Sequence, residues 1–170
     1  MMSPEGDTGI RLVADRLART LKRDALVQEV LDFLRTHYGC DRVVLYYFYR
    51  QWKGQVTAEA LSSLEYSIYG STGADDCFND EYAQLYLDGR VRTMDDVETA
   101  GLDLCHLSFL KNIQVRANLV APVLTEQGLW GLLVAHHCKQ PRHWSAQDIS
   151  TIQAAAQKLA TSPSISVSPL

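Results

Sequence analysis

The chain has 170 residues, 46% hydrophobic and 21% charged, the balance of one ordinary globular domain able to bury a core without staples. A formal net charge of −4 and the absence of a basic run argue against nucleic acid as a partner. No apolar stretch has the length of a membrane span, and Met-Met-Ser-Pro-Glu-Gly-Asp is not a signal peptide, so the expectation is a cytoplasmic protein without membrane insertion.

Residues 1–9 are polar with Gly and Pro and read as a disordered lead to a domain over 10–161. Ile10, Val13, Leu17 and Leu21 step at helical spacing, the register slips near Asp24, and Val27, Val30, Leu31 and Leu34 resume it. This predicts two helices, with Asp24 capping the second and Gly39 stopping it. Val43 to Tyr49 is β-branched and aromatic throughout, a strand covered on both faces, and Val56, Ala58 and Ala60 alternate as its hairpin partner. Residues 62–76 form a long Ser/Gly/Asp-rich loop, of the kind that is usually functional or mobile. A helix from Phe78 to Leu87, a short strand at Val91–Thr93 and a short helix around Asp95–Ala100 follow. Val115–Leu124 and Leu129–His137 make a second hairpin. Strict alternation puts Arg116, Asn118, Val120 and Pro122 on one face of its first strand. On its second strand Trp130, Leu132, Val134 and His136 share a face, with His137 opposite. Ser145 with Asp148 is a capping-box start for the last helix, and the Ser/Pro-rich residues 162–170 read as a flexible tail. The order gives an α+β domain, an antiparallel sheet of about five to six strands with helices on its faces.

The stretch from Asp103 to Asn118 concentrates chemistry. Asp103 is a plausible N-cap, which puts Cys105 in the first turn, where the helix dipole favours a thiolate. Leu104, Leu107 and Leu110 would pin this helix to the core. Four cysteines at 40, 77, 105 and 138 form no Cys-x-x-Cys pair, and in a reducing compartment each should be a free thiol that is buried, liganded or chemically used.

Cys105-His106 followed by Leu-Xaa-Xaa-Leu, a basic strand entry and Trp-Gly-Leu-Leu-Val-Ala-His-His resembles the bilin-binding GAF domain of phytochromes and cyanobacteriochromes. Asp75-Asp76-Cys77-Phe78 resembles the Asp-Xaa-Cys-Phe motif of the two-cysteine cyanobacteriochromes. The resemblance implies the GAF fold and a sensory, non-enzymatic domain that attaches its own pigment. That pigment would be phycocyanobilin or its isomer phycoviolobilin, held by a thioether from Cys105 to the A ring. Cys77 would add reversibly at C10, and Asp75 would accept from pyrrole N–H groups, with Phe78 beside them. His106 would pack over the central rings, and His136, 31 residues after Cys105, would contact the D-ring carbonyl. Arg90 would pair with a propionate, Arg116 and Asn118 being weaker candidates. Tyr82, Tyr86 and Trp130 are pocket-lining candidates, for which a tyrosine-rich core is an equal reading. Implied partners are the output domains of a larger signalling protein and a second copy meeting through the N- and C-terminal helices. Two rivals stay open on residues alone. One is a GAF domain that senses a nucleotide or metabolite; the other is a metal or redox sensor built on Cys105-His106 and His136-His137-Cys138.

Overall fold

An aspartate at position 24 divides the first forty residues into two helices, and the sheet that follows separates two cores. The computed structural model describes residues 4–72 and 80–166. Helix α1 (Pro4–Arg23) reaches back to Pro4, well into the lead expected to be disordered. Its buried stripe is Ala14, Leu17, Ala18 and Leu21, with Val13 turned outward, because the two alanines allow close approach to the sheet. Helix α2 (Ala25–Tyr38) buries Val27, Val30, Leu31, Leu34 and Tyr38. The Asp24 carboxylate caps it, accepting from Leu26 N at 3.0 Å and Val27 N at 3.4 Å, and Gly39 ends it in the left-handed region at φ 59°.

Strands β1 (Arg42–Arg50) and β2 (Lys53–Leu61) form the first hairpin, and β3 (Arg92–Met94) is a short edge. Strands β4 (Ala117–Thr125) and β5 (Gly128–His137) form the second hairpin. All pair antiparallel in one five-stranded sheet, in the order β2-β1-β5-β4-β3. β1 lies inside the sheet with a core on each side, which is why nearly every residue from Val43 to Tyr49 is apolar. Val43, Leu45, Tyr47 and Tyr49 join the core under α1, α2 and α5 (Ala146–Ala160), while Val44, Tyr46 and Phe48 face the other way.

The opposite face is covered by α3 (Asp80–Leu87), α4 (Leu104–Asn112) and residues 62–72, which contain a 3-10 turn at Leu64–Tyr66. The helix expected at Asp95–Ala100 is a turn. The Asp96 carboxylate accepts from Glu98 N at 3.0 Å, and such local side-chain bonds compete with helix formation. Ser145 and Asp148 form the expected capping box on α5.

The C-terminal tail expectation is corrected over its first residues. α6 (Pro163–Ser166) is one turn of helix with Ile165 fully buried, and Ser162 and Ser164 donate to Asp24 Oδ2 at 2.6 and 2.8 Å. Burying one such side chain stabilises by roughly 2 kcal/mol, which offsets the disorder favoured by a Ser/Pro composition. Among the described residues no helix is long and apolar enough to cross a membrane.

Candidate functional site

On the face turned away from α1, α2 and α5, the sheet forms the floor of a pocket of about 900 Å³ including its open mouth. Val44, Tyr46 and Phe48 of β1, Val120 of β4 and Leu132 and Val134 of β5 make the apolar floor. Tyr82 and Tyr86 of α3, Arg92 of β3, and His106, Phe109 and Leu110 of α4 form walls.

A polar row crosses this floor. Arg42, His136 and Asn118 are register partners on β1, β5 and β4, and all three are buried. Arg42 Nε donates to His136 Nδ1 at 3.1 Å. Arg42 Nη1 and Nη2 donate to the carbonyls of Tyr66 and Ile113, each at 2.6 Å. Burial, reinforced by the Arg42 cation, pushes His136 well below the usual histidine pKa, so the ring is neutral at pH 7. Asn118 Oδ1 is buried and has no hydrogen-bond partner among the described residues.

At the pocket wall, burial and then the Arg92 cation lower the pKa of His106, partly opposed by Asp103. The ring stands edge-on to Tyr82 with centroids 6.4 Å apart, and Arg92 lies 5.7 Å over Tyr82. Arg90 stacks over the Tyr86 ring at 5.3 Å. Its Nε and Nη2 are buried with no hydrogen-bond partner among the described residues. A cation with orphaned planar donors suits a carboxylate.

Asp103 caps α4 as expected, accepting from His106 N at 2.8 Å, and Cys105 sits exposed in the first turn. Leu104 is 85% exposed, so of the three leucines Leu107 and Leu110 anchor the helix, together with Phe109. At the first helical position the Leu104 side chain projects past the end of the cylinder that packs on the sheet. Cys40 and Cys138 are free, whereas Cys105 is disulfide-bonded, against the expectation of a free thiol.

Similarity to known proteins agrees with this layout. A model described as GAF domain matches residues 22–162. The chain belongs to the GAF domain family. This GAF domain is 52% identical over 154 residues to an uncharacterized protein of Picosynechococcus, covering 91% of this chain and 94% of that protein. It is 39% identical over 136 residues to a putative methyl-accepting chemotaxis protein of Synechocystis, covering 76% of this chain but 14% of that protein. Among solved structures it resembles the blue-light absorbing form of the Thermosynechococcus elongatus PixJ GAF domain, with TM-score 0.71 and 28% identity, covering 94% of this chain and 89% of that one. It also resembles the phycocyanobilin-bound GAF domain from a cyanobacterial phytochrome, with TM-score 0.71 and 28% identity over 89% and 91% of the two chains.

Within this GAF domain the structure brings His106, Tyr82, Asn118 and His136 into one pocket, with Arg90 beside its Tyr86 wall. Asp75, Cys77 and Phe78 lie outside the described residues. Trp130 is a correction. The β4–β5 register shifts between Val123 and Leu124, leaving Trp130 as an extra residue between Leu129, paired with Leu124, and Gly131, paired with Val123. This bulge turns Trp130 to the helical face, where it packs on Tyr47 at 4.8 Å, while Leu132 and Val134 keep the pocket face. Gly131 makes room there, since a Cβ would sit 2.0 Å from Tyr46 O. Arg116 is committed to Asp96, through Nε and Nη2 at 2.8 and 2.9 Å. His137 faces the helical layer, its Nε2 3.1 Å from Arg142 Nη1, so the adjacent histidines lie on opposite faces. No cluster of three potential metal ligands occurs among the described residues.

Two site residues escaped the sequence reading. Arg92 was legible, because Val91 packs on the helical core and the next residue must face the pocket. Arg42 had a weaker signal, a charge opening an otherwise apolar strand.

Proposed function

We propose that this GAF domain is a photoreceptor module that binds a linear tetrapyrrole, phycocyanobilin or phycoviolobilin, through a thioether from Cys105. The observation that supports it best is the match between pocket and pigment. A long apolar floor carries the buried Asn118 Oδ1, and beside the Tyr86 wall Arg90 holds buried Nε and Nη2, none of the three with a hydrogen-bond partner among the described residues. A bilin brings apolar rings, carboxylates and both N–H and C=O groups. The likeness to a phycocyanobilin-bound GAF domain supports the same reading.

In this reading Cys105 supplies the anchoring sulfur from a capped helix, and Arg90 holds a propionate. His106 covers the central rings and His136 donates to a terminal-ring carbonyl. A thiolate is the attacking species, so the Cys105 disulfide must be reduced by a thiol reductant before attachment. Asp75 and Cys77 are assigned the pyrrole contact and a reversible second thioether, supported by the motif and by the likeness to a blue-light absorbing PixJ domain. When bound, the bilin supplies light absorption and double-bond isomerisation; the protein contributes binding, orientation and no catalysis beyond attaching its own pigment. The chemotaxis relative, of which this segment matches only a small share, supports output domains as partners, with pairing of two copies through the terminal helices as a further part of the proposal.

The test is co-expression with phycocyanobilin-forming enzymes, followed by a denaturing gel stained with zinc. Wild type should give a fluorescent band and Cys105→Ala none. A band of normal yield in Cys105→Ala would move the anchor, and no band in folded wild type would refute the proposal. Cys77→Ala should keep the band and lose the violet-to-blue state; its survival would refute the second thioether.

A further inference from the structure

The Arg42 guanidinium is fully buried, and no aspartate or glutamate forms an ion pair with it among the described residues. Its three contacts are instead the His136 ring at 3.1 Å and two main-chain carbonyls at 2.6 Å. A guanidinium has donors only and keeps its protons at any working pH. The nitrogen facing it, His136 Nδ1, must therefore be the acceptor. The single proton of the neutral imidazole then resides on the distal Nε2.

We infer that Arg42 is a positioning residue that locks His136 as an Nε2–H donor at the pocket floor, so that the ligand atom opposite must be an acceptor such as a carbonyl oxygen. The inference rests on the proposed ligand only for the identity of that carbonyl; the tautomer itself is a property of the protein. Two further observations support the lock. The two carbonyls belong to Tyr66, in the 3-10 turn, and Ile113, at the C-cap of the helix that carries Cys105, so Arg42 is held from two sides and cannot swing away. The described pocket walls carry no carboxylate that would favour a charged imidazole; the ionisable groups there are Arg92 of β3, His106 of α4 and the tyrosines of β1 and α3. Burial keeps the ring neutral. The neighbouring Asn118 differs in kind, because its amide can turn over to offer either a donor or an acceptor. The row thus holds one fixed donor beside one adaptable group.

The test uses 15N-labelled, pigment-free full chain and two-bond 1H–15N correlation spectra of the imidazoles, with His136→Gln to assign the signal. Wild type should show one neutral His136 ring protonated at Nε2 throughout pH 6 to 8. An Nδ1–H or doubly protonated ring would overturn the inference without touching the bilin proposal, which the zinc-stained gel tests separately. Arg42→Gln, whose amide can donate or accept, should give a mixed tautomer signal. After loading, it should shift the absorption maximum of at least one photostate. Arg42→Lys, an obligatory donor, should restore the Nε2–H form. Unchanged tautomer and spectra in Arg42→Gln would reduce Arg42 to a structural brace and overturn the inference. If Arg42→Gln does not fold, the wild-type tautomer and the Arg42→Lys spectrum decide it in the same way.

Discussion

Single side chains at the pocket differ sharply in what they are free to do. Arg90 holds orphaned buried donors beside Tyr86, whereas Arg116, the weaker candidate for the same task, is already consumed by Asp96. Arg90→Ala should therefore slow bilin loading or weaken it by about tenfold, the loss expected for one charged hydrogen-bonded pair, while Arg116→Ala should leave loading near wild type. Stopped-flow or time-course absorbance with added phycocyanobilin measures both, and equal effects would count against the assignment of Arg90. The thiols separate in the same manner. Burial pushes Cys40 and Cys138 up to about 11, so at pH 8 only about one part in a thousand of each is thiolate. After reduction of the disulfide, iodoacetamide should label exposed Cys105 at least tenfold faster than Cys40 in the native protein, read by peptide mass spectrometry. Equal rates would contradict the burial ordering.

Elements were legible where local chemistry decides them and illegible where a distant partner does. The caps Asp24, Gly39, Asp103 and Ser145 were all readable, because each satisfies the first or last backbone groups of its own helix. The bulge at Trp130 was not, because alternation along one strand says nothing about an extra residue forced by pairing with β4. The turn at Asp95–Ala100 was misread as helix for want of seeing the Asp96 side chain folded onto its own backbone. The tail was misread because Ile165 joins the main core and the two serines find the Asp24 carboxylate at α2's cap, far away in sequence.

That cap gives an element-scale prediction. Burial would raise the Asp24 pKa, but hydrogen bonds from Ser162, Ser164, Val27 N and Leu26 N outweigh it and hold the pKa below the usual 3.8. A depressed carboxylate pKa stabilises the fold above the unfolded value, and that contribution is lost as pH falls through the folded value. Asp24→Ala should cost about 1–2 kcal/mol at pH 7 by denaturant melts, and the gap to wild type should narrow below pH 4. A gap that stays constant into acid would show that the carboxylate's charge is irrelevant there.

For the whole molecule, the sheet divides the work: one face is packed under α1, α2 and α5, and the other is hollow and chemically furnished. The α+β architecture and its five strands were legible in the sequence, and alternation put Asn118 and Val120 on one face of β4 and Leu132, Val134 and His136 on one face of β5, all of them pocket residues. What the sequence could not disclose was the Arg42–His136 bond, made between residues 94 positions apart, and the carbonyls that hold Arg42. Family membership is established by the match over residues 22–162, and the photosensory role is the proposal that most needs a direct reading. That reading is the light-minus-dark difference spectrum of reduced wild-type protein loaded with phycocyanobilin. A reversible pair of bands, one of them violet to blue, is the predicted result. Loaded protein whose spectrum does not change under illumination at any visible wavelength would contradict the photoreceptor role.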